Sequence, residues 1–333
     1  MLIFYILIPL FFLFAPVSVI ETAAAQDKFT IAAVGDIMLG SEFPEPQLPP
    51  NNGSSLLDGV KDYLIGNDIV MGNLEGVLAD GGTTTKNITS GRSFAFRMPT
   101  SFGKTLKDAG FNFLSLANNH ASDFGKLGIA STIKVLTEEG IHYSGPSGHI
   151  AYMEVNGRKV AIIAFAPYPQ FFNLLDIPAA QKTIQKLDEE NDFVIVSMHI
   201  GSEGVGALKT IDVMEYLYDE PRGNPVAFAH AAVDAGADLI ISHGPHVPRA
   251  MELYKGRLIA YSLGNFCTYG YFNIKGESGL SQILTVEVNN NGEFISGRIL
   301  SLVQEGKGVP AIDSERRTAK LVKRQSTEDF PEN

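Results

Sequence analysis

The chain has 333 residues, 45% of them hydrophobic, and a formal net charge of −11. That composition supports a substantial core, and α/β folds of about 250 residues form single units. The acidic balance and the lack of any long Lys/Arg run exclude a broad nucleic-acid footprint, which would show as a basic stripe. A small phosphate can still be bound by an acidic protein through a metal ion.

The chain opens on an almost wholly apolar stretch, Met1 to Ile20, followed by Ala23-Ala24-Ala25 and Gln26. Residues 1–25 read as a secretory signal peptide cleaved between Ala25 and Gln26. No Lys or Arg precedes the stretch, and it approaches the ~20 residues that span a bilayer, so an uncleaved anchor is the alternative. Either reading puts the protein outside the cytoplasm: periplasmic, secreted or membrane-anchored. Cys267 is the sole cysteine, which excludes an internal disulfide and a lipid-carrying cysteine at the junction. Beside Phe266 it reads as a small buried hydrophobe.

Residues 26–313 form one expected domain. Short apolar runs occur at Phe29 to Val34, Ile69 to Met71, Phe113 to Leu116, Phe193 to Val196 and Leu239 to Ile241. They are rich in β-branched and aromatic residues, as buried strands are. Helical patterns lie between them: Thr105 to Ala109, Leu127 to Glu139 and Val226 to Ala235, each closing on a glycine. This alternation predicts an α/β fold. Asn156-Gly157 and Lys255-Gly256 mark hairpin turns, and Leu284 to Val288 and Phe294 to Leu302 flank a third turn. Hairpins beside helix-separated strands predict two mixed sheets packed face to face, with helices outside. Glu252 is expected to face solvent in its hairpin. The charged tail, 314–333, is expected to hold a short surface helix near Arg316 to Lys323 and then disorder. Asn87-Ile88-Thr89 matches a glycosylation acceptor, a triplet common by chance.

Nearly every expected strand runs into a residue type that binds metal. The first ends at Asp36 and the second at Asn73 and Glu75. The third gives Asn118, Asn119 and His120, and the fourth His199 with Glu203 soon after. The fifth gives His243 and His246, and a run from Leu258 to Leu263 leads to Asn265. Ligands in open α/β sheets sit beyond the carboxyl ends of strands, so these ends are expected to converge. Carboxylate, carboxamide and imidazole donors suit Mn, Fe, Zn or Mg. Any one of these residues alone reads as a turn, cap or solvated loop residue; the joint pattern points to a shared site. His142, His149 and His230 lack this setting and read as ordinary surface or packing residues.

The same residues resemble a known family. Gly35-Asp36-Ile37-Met38-Leu39, Gly72-Asn73-Leu74-Glu75, Asn118-Asn119-His120, His199-Ile200-Gly201-Ser202-Glu203, Ser242-His243-Gly244-Pro245-His246-Val247 and Tyr261-Ser262-Leu263-Gly264-Asn265-Phe266 are similar, in order, to the motifs of the CapA family of poly-γ-glutamate capsule synthesis. The resemblance implies a four-layer αββα sandwich of the calcineurin-like metallophosphoesterase type, outside the cytoplasm. It implies one or two divalent ions held by Asp36, Glu75, Asn119, His199, His243 and His246. His120 would be the general acid, and Asn73, Asn118, Glu203 and Asn265 would orient substrate or ligands. Two departures stand out: Met38 replaces the histidine of the superfamily's Asp-x-His, and Ile200 replaces the tryptophan of the family's His-Trp-Gly. Two functions stay open at this point. One is a metal-dependent phosphoesterase-like hydrolase. The other is a non-catalytic accessory protein that binds poly-γ-glutamate or its synthase complex through groove cations, for which Arg92, Arg97, Arg249 and Lys255 are the candidates.

Overall fold

Alternation along the first strand decides the layering. Phe29, Ile31 and Ala33 point to one side, and Ala32 and Val34 to the other, as the period of two in a strand requires. Both sides are apolar, so the strand must be covered on both faces. A computed structural model describes residues 28–90 and 93–332. The segment read as a signal peptide or anchor (1–25) and Arg92 lie outside the described residues.

In chain order the strands are β1 (Lys28–Met38), β2 (Ile69–Leu74), β3 (Val77–Leu78), β4 (Arg97–Met98), β5 (Phe113–Ser115), β6 (His142–Ser144), β7 (Ala151–Val155), β8 (Arg158–Ala166), β9 (Phe172–Asn173), β10 (Phe193–His199), β11 (Glu215–Leu217), β12 (Glu220–Gly223), β13 (Leu239–His243), β14 (Met251–Tyr254), β15 (Arg257–Ala260), β16 (Asn265–Thr268), β17 (Leu280–Asn289), β18 (Phe294–Glu305) and β19 (Val309–Ile312). The helices are α1 (Phe102–Asp108), α2 (Gly125–Glu138), α3 (Ile177–Glu190), α4 (Pro225–Asp234) and α5 (Arg317–Asp329). One sheet has the order β19-β18-β17-β1-β2-β5-β6, with β16 also on β1. The other has the order β14-β15-β13-β10-β8-β7, with β9 on β8.

The inner faces share one core. Phe29, Ile31, Ala33, Ile69 and Phe113 of the first sheet pack with Val160, Ile162, Ile195, Leu239 and Ile241 of the second. Full burial stabilises each such large aliphatic or aromatic side chain by about 1.5–3 kcal/mol. The first sheet's outer face carries Ala32, Val34 and Val70 against Phe102 and Leu106 of α1 and Val135 and Leu136 of α2. The second sheet's outer face carries Val194, Val196 and Ile240 against Ala180, Ile184 and Leu187 of α3 and Phe228 and Ala229 of α4. The result is the expected helix–sheet–sheet–helix sandwich. Among the described residues no helix is long and apolar enough to cross a membrane.

The hairpins fall where expected. Asn156 and Gly157 have φ of 51° and 77°, and Lys255 and Gly256 have φ of 50° and 77°, positive at both central residues as a type I′ turn needs. Three expectations differ. Helix α3 was not anticipated; its apolar stripe Ala180, Ile184 and Leu187 is thin, and Asp176 caps it by accepting a hydrogen bond from Ala179 N at 3.1 Å. The tail is ordered rather than ending in disorder. α5 buries Thr318, Leu321, Val322 and Gln325, a helical stripe hidden in charged sequence, and Phe330 stacks on Tyr261 at 5.1 Å. Glu252 is buried, not solvent-facing: it accepts from Tyr261 Oη at 2.6 Å and lies 2.9 Å from His230 Nε2.

One glycine sets how closely the site's first strand approaches its neighbour. A Cβ on Gly35 would lie 1.8 Å from the Gly264 carbonyl oxygen, while the next residue, Asp36, donates its N–H to that oxygen at 2.9 Å. Gly35→Ala is therefore expected to destabilise the fold by about 3 kcal/mol, the upper range for forced overpacking. Urea unfolding of the variant beside the wild type measures it.

Candidate metal centre

Strand register assembles the site in two rows. In the first sheet Asp36 pairs with Asn73 on β2 and with Asn265 on β16, where the ladder shifts register between Asp36 and Ile37. In the second sheet His199 pairs with His243. The strand ends thus belong to two sheets rather than to one continuous row, and they meet across the sandwich. The turn after β13 completes the meeting. Gly244 has φ of 113° and His246 φ of 58°. A left-handed histidine is uncommon and costs about 1–2 kcal/mol, strain of the kind that collects at functional sites.

One oxygen each of Asp36 and Glu75 and a ring nitrogen of His246 lie within 4.8 Å of one another. His246 Nδ1 is 3.0 Å from Asp36 Oδ2 and 3.1 Å from Asn265 Oδ1, and its Nε2 is 3.6 Å from Glu75 Oε1. Asn73 Nδ2 donates to Asp36 Oδ1 at 2.9 Å and to Glu75 Oε2 at 3.2 Å. Asn118 Nδ2 donates to Asn73 Oδ1 at 2.9 Å, and its Oδ1 accepts the His120 N–H at 2.9 Å. Glu203 stands at the rim, 3.9 Å from His246 Nε2.

Buried polar atoms are normally hydrogen-bonded. Here Glu75 Oε1, Asn119 Oδ1, His199 Nδ1 and both ring nitrogens of His243 are buried without a hydrogen-bond partner. These orphans fall on four of the residues that the family resemblance implies as ligands. An oxygen- and imidazole-rich donor set of this kind fits a hard or borderline divalent ion. Met38 does not contribute: it is fully buried in the apolar cluster beneath α1 and α2, so the position that the resemblance sets against a histidine serves packing here.

The electrostatics of two imidazoles agree with that donor set. Burial pushes the His243 imidazole down to about 4 against the pull of Asp36. Burial and then the Arg222 guanidinium push His199 well below the usual imidazole range. Both are therefore neutral, as ligation requires. His246 is the opposite case. Burial works against its charge, but Glu75, Asp36 and Glu203 outweigh it and hold the ring at about 10. Burial and then Asp36 raise Glu75. A proton on His246 thus supplies the positive charge that this cluster of carboxylates requires.

His120 faces a cleft of about 390 Å³ lined also by Lys86, Asn119, Tyr168, Glu203, Glu220 and Arg222. Its Nδ1 is 2.8 Å from Asp123 Oδ2 and 3.2 Å from Lys86 Nζ, while Lys86 Nζ is 2.6 Å from Asp123 Oδ1. Asp123 is the acceptor for both, which leaves the far nitrogen of His120 to the cleft. Sequence reading missed Asp123, although its place three residues after His120 in a turn was the available signal. It also missed Lys86 and Arg222, which nothing local marks. Three of the four groove cations it named lie elsewhere. Arg249 is buried against Glu215 at 2.8 Å, Lys255 pairs with Asp234 at 2.6 Å, and Arg97 lies 3.7 Å from Glu42.

The family model described as bacterial capsule synthesis protein PGA_cap matches residues 30–269. The chain belongs to this family. It is 32% identical to the capsule biosynthesis protein CapA of Bacillus anthracis, over 90% of this chain and 74% of that one. It is 29% identical to the PGA biosynthesis protein CapA of Bacillus subtilis, over 81% of this chain and 71% of that one. Among solved structures it is similar to a putative 5′-nucleotidase from Staphylococcus aureus, with a TM-score of 0.46 and 12% identity over 91% of this chain and 58% of that one. All the site residues of this PGA_cap member fall within the matched span.

Proposed function

We propose that this PGA_cap protein is an exported, metal-dependent hydrolase of the phosphoester type that serves poly-γ-glutamate capsule synthesis or export, in association with the polymer or its synthase. The observation that supports it most is the set of orphaned buried donors on Glu75, Asn119, His199 and His243 beside the Asp36–Glu75–His246 group. In this reading Asp36, Glu75, Asn119, His199, His243 and His246 hold one or two divalent ions of the Mn, Fe, Zn or Mg class. When bound, such an ion supplies Lewis acidity and lowers the pKa of water. Asn73 and Asn265 orient Asp36, Glu75 and His246 through the hydrogen bonds above, as partners of metal ligands do. Asn118 fixes the backbone at His120. Asp123 accepts from His120 Nδ1, so the ring must take up a second proton on its other nitrogen, as imidazolium, before it can hand that proton to the leaving oxygen. The capsule role is supported by family membership, and export by the apolar N-terminal stretch.

The test is a turnover screen of purified protein, loaded with Mn, Zn or Fe, on phosphomonoesters and phosphodiesters. Hydrolysis that chelation abolishes is the expected result; none on any ester would defeat the reading. Metal binding should also release at least one proton. His246 at about 10 is protonated throughout the neutral range, and a ligand nitrogen must be free of its proton. Falling pH therefore competes with metal. Apparent affinity should rise about tenfold per pH unit between roughly pH 6 and 9. Calorimetry in buffers of different ionisation enthalpy counts the protons, and a pH-independent affinity would contradict the assignment.

A further inference from the structure

Beside the candidate ligands the cleft holds a cation with no evident structural purpose. Arg222 sits on β12, in a hairpin with β11 whose base is fixed from below. Glu215 on β11 takes Arg249 on both oxygens, at 2.9 and 2.8 Å, and accepts the Ser202 N–H at 2.7 Å. The hairpin delivers an Arg222 side chain that is 1% exposed. Its Nη2 donates to Glu203 Oε1 at 2.8 Å and lies 3.4 Å from His199 Nε2. Its Nη1 donates to Tyr168 Oη at 2.7 Å and to Glu220 Oε1 at 3.3 Å. Its Nε is buried with no partner.

Burying a guanidinium costs several kcal/mol even after relaxation, and buried pairs often contribute nothing net to stability. This guanidinium also stands against an imidazole read as a metal ligand, where like charge repels a dication. Neither folding nor metal retention accounts for it. A substrate oxyanion does, because a guanidinium N–H gives a carboxylate or a phosphoryl oxygen a charge-assisted hydrogen bond. One feature makes the guanidinium available: Glu220 is a weak counter-ion on Nη1, since it makes the longer of the two carboxylate contacts and its side chain is 46% exposed. An incoming anion that approaches Nη1 more closely can displace it. Lys86 lines the same cleft but is committed to Asp123.

We propose that Arg222 is the oxyanion-binding residue of this cleft: a carboxylate or phosphoryl oxygen of the ligand replaces Glu220 on the guanidinium and is held next to His199. This rests on the reading of the cleft as the substrate site, and not on hydrolysis taking place there. The test is equilibrium binding of two probes, inorganic phosphate and a short γ-linked glutamate oligomer, to metal-loaded wild type, Arg222→Gln, Arg222→Lys and Glu220→Gln, with metal content measured for each. Arg222→Gln should weaken the recognised probe about 10- to 100-fold, the worth of a charged hydrogen bond, and Arg222→Lys should recover only part of it. Glu220→Gln should tighten binding about two- to fivefold, the worth of removing one weak competing carboxylate, a gain that a misfolded protein does not show. Which probe responds tells carboxylate from phosphoryl. Wild-type affinity in Arg222→Gln, or loss of metal together with the anion, would overturn the proposal and leave Arg222 as a support for His199 and Glu203. If the wild type cleaves no ester yet its anion binding still depends on Arg222, the hydrolase reading falls and this one stands.

Discussion

Replacing His243 and His246 together by alanine is expected to yield a folded protein that no longer retains a divalent ion. His243 makes no hydrogen bond with either ring nitrogen, so its removal breaks no polar network. It leaves a cavity in a well-packed region, which for a large-to-alanine change costs about 2–5 kcal/mol. His246→Ala keeps the backbone at φ 58°, but it removes the contacts of Nδ1 to Asp36 and Asn265 and leaves buried carboxyl groups short of a partner, a further cost of about 1–3 kcal/mol. The effect on metal is far larger. A site of few ligands loses affinity steeply with each one removed, because no neighbour can share the ion. His230→Ala is the control: His230 bonds Glu252 and stacks on Tyr254 at 3.9 Å, remote from the six residues read as ligands, and it should keep its metal. Elemental analysis after loading and dialysis decides. Wild-type stoichiometry in the double variant would remove both residues from the ligand set.

The second large effect separates neighbours in sequence. His120→Ala should keep its metal and lose turnover by about 10²–10⁴ on esters with poor leaving groups, the usual worth of a positioned general acid. On an activated aryl phosphate the loss should be smaller, because that leaving group hardly needs a proton. Asn119→Ala should instead weaken metal binding itself. The local geometry is the reason. His120 Nδ1 is engaged by the buried Asp123, which leaves the other ring nitrogen to the cleft, while Asn119 Oδ1 is buried and unpartnered. Metal content and rates on both ester types, measured for the two variants, test the division. Equal loss of metal in both would show the pair to be wrongly divided.

Much of the fold, and the meeting of the candidate residues, was legible in the sequence because it depends on local pattern. Strand ends that run into Asp36, Asn73, Asn118, His199 and His243 mark a site wherever parallel strands terminate together, and the type I′ turns at Asn156-Gly157 and Lys255-Gly256 need only two residues to specify them. What the sequence hid depends on distant contacts. Arg222 reaches the cleft only because a hairpin folds over and Glu215 meets Arg249, 34 residues away. α5 looked like a solvated tail because its buried face consists of Thr318, Leu321, Val322 and Gln325 rather than a strong apolar stripe. Glu252 alternates outward on its strand as expected, but α4 brings His230 over it, so that the outward face is covered. Met38 could be read as a missing ligand from sequence, yet only the packing shows that its side chain fills the core.

The most direct test of the hydrolase reading is the rate of phosphoester cleavage by chelator-stripped protein as a single divalent metal, Mn, Zn or Fe, is titrated back. The expected result is no turnover without metal, a rise with each equivalent bound and a plateau at one or two per chain. Stoichiometric binding of metal with no ester cleaved at any point of the titration would contradict it, and would assign the ion a structural or ligand-holding part in an accessory protein of polymer assembly.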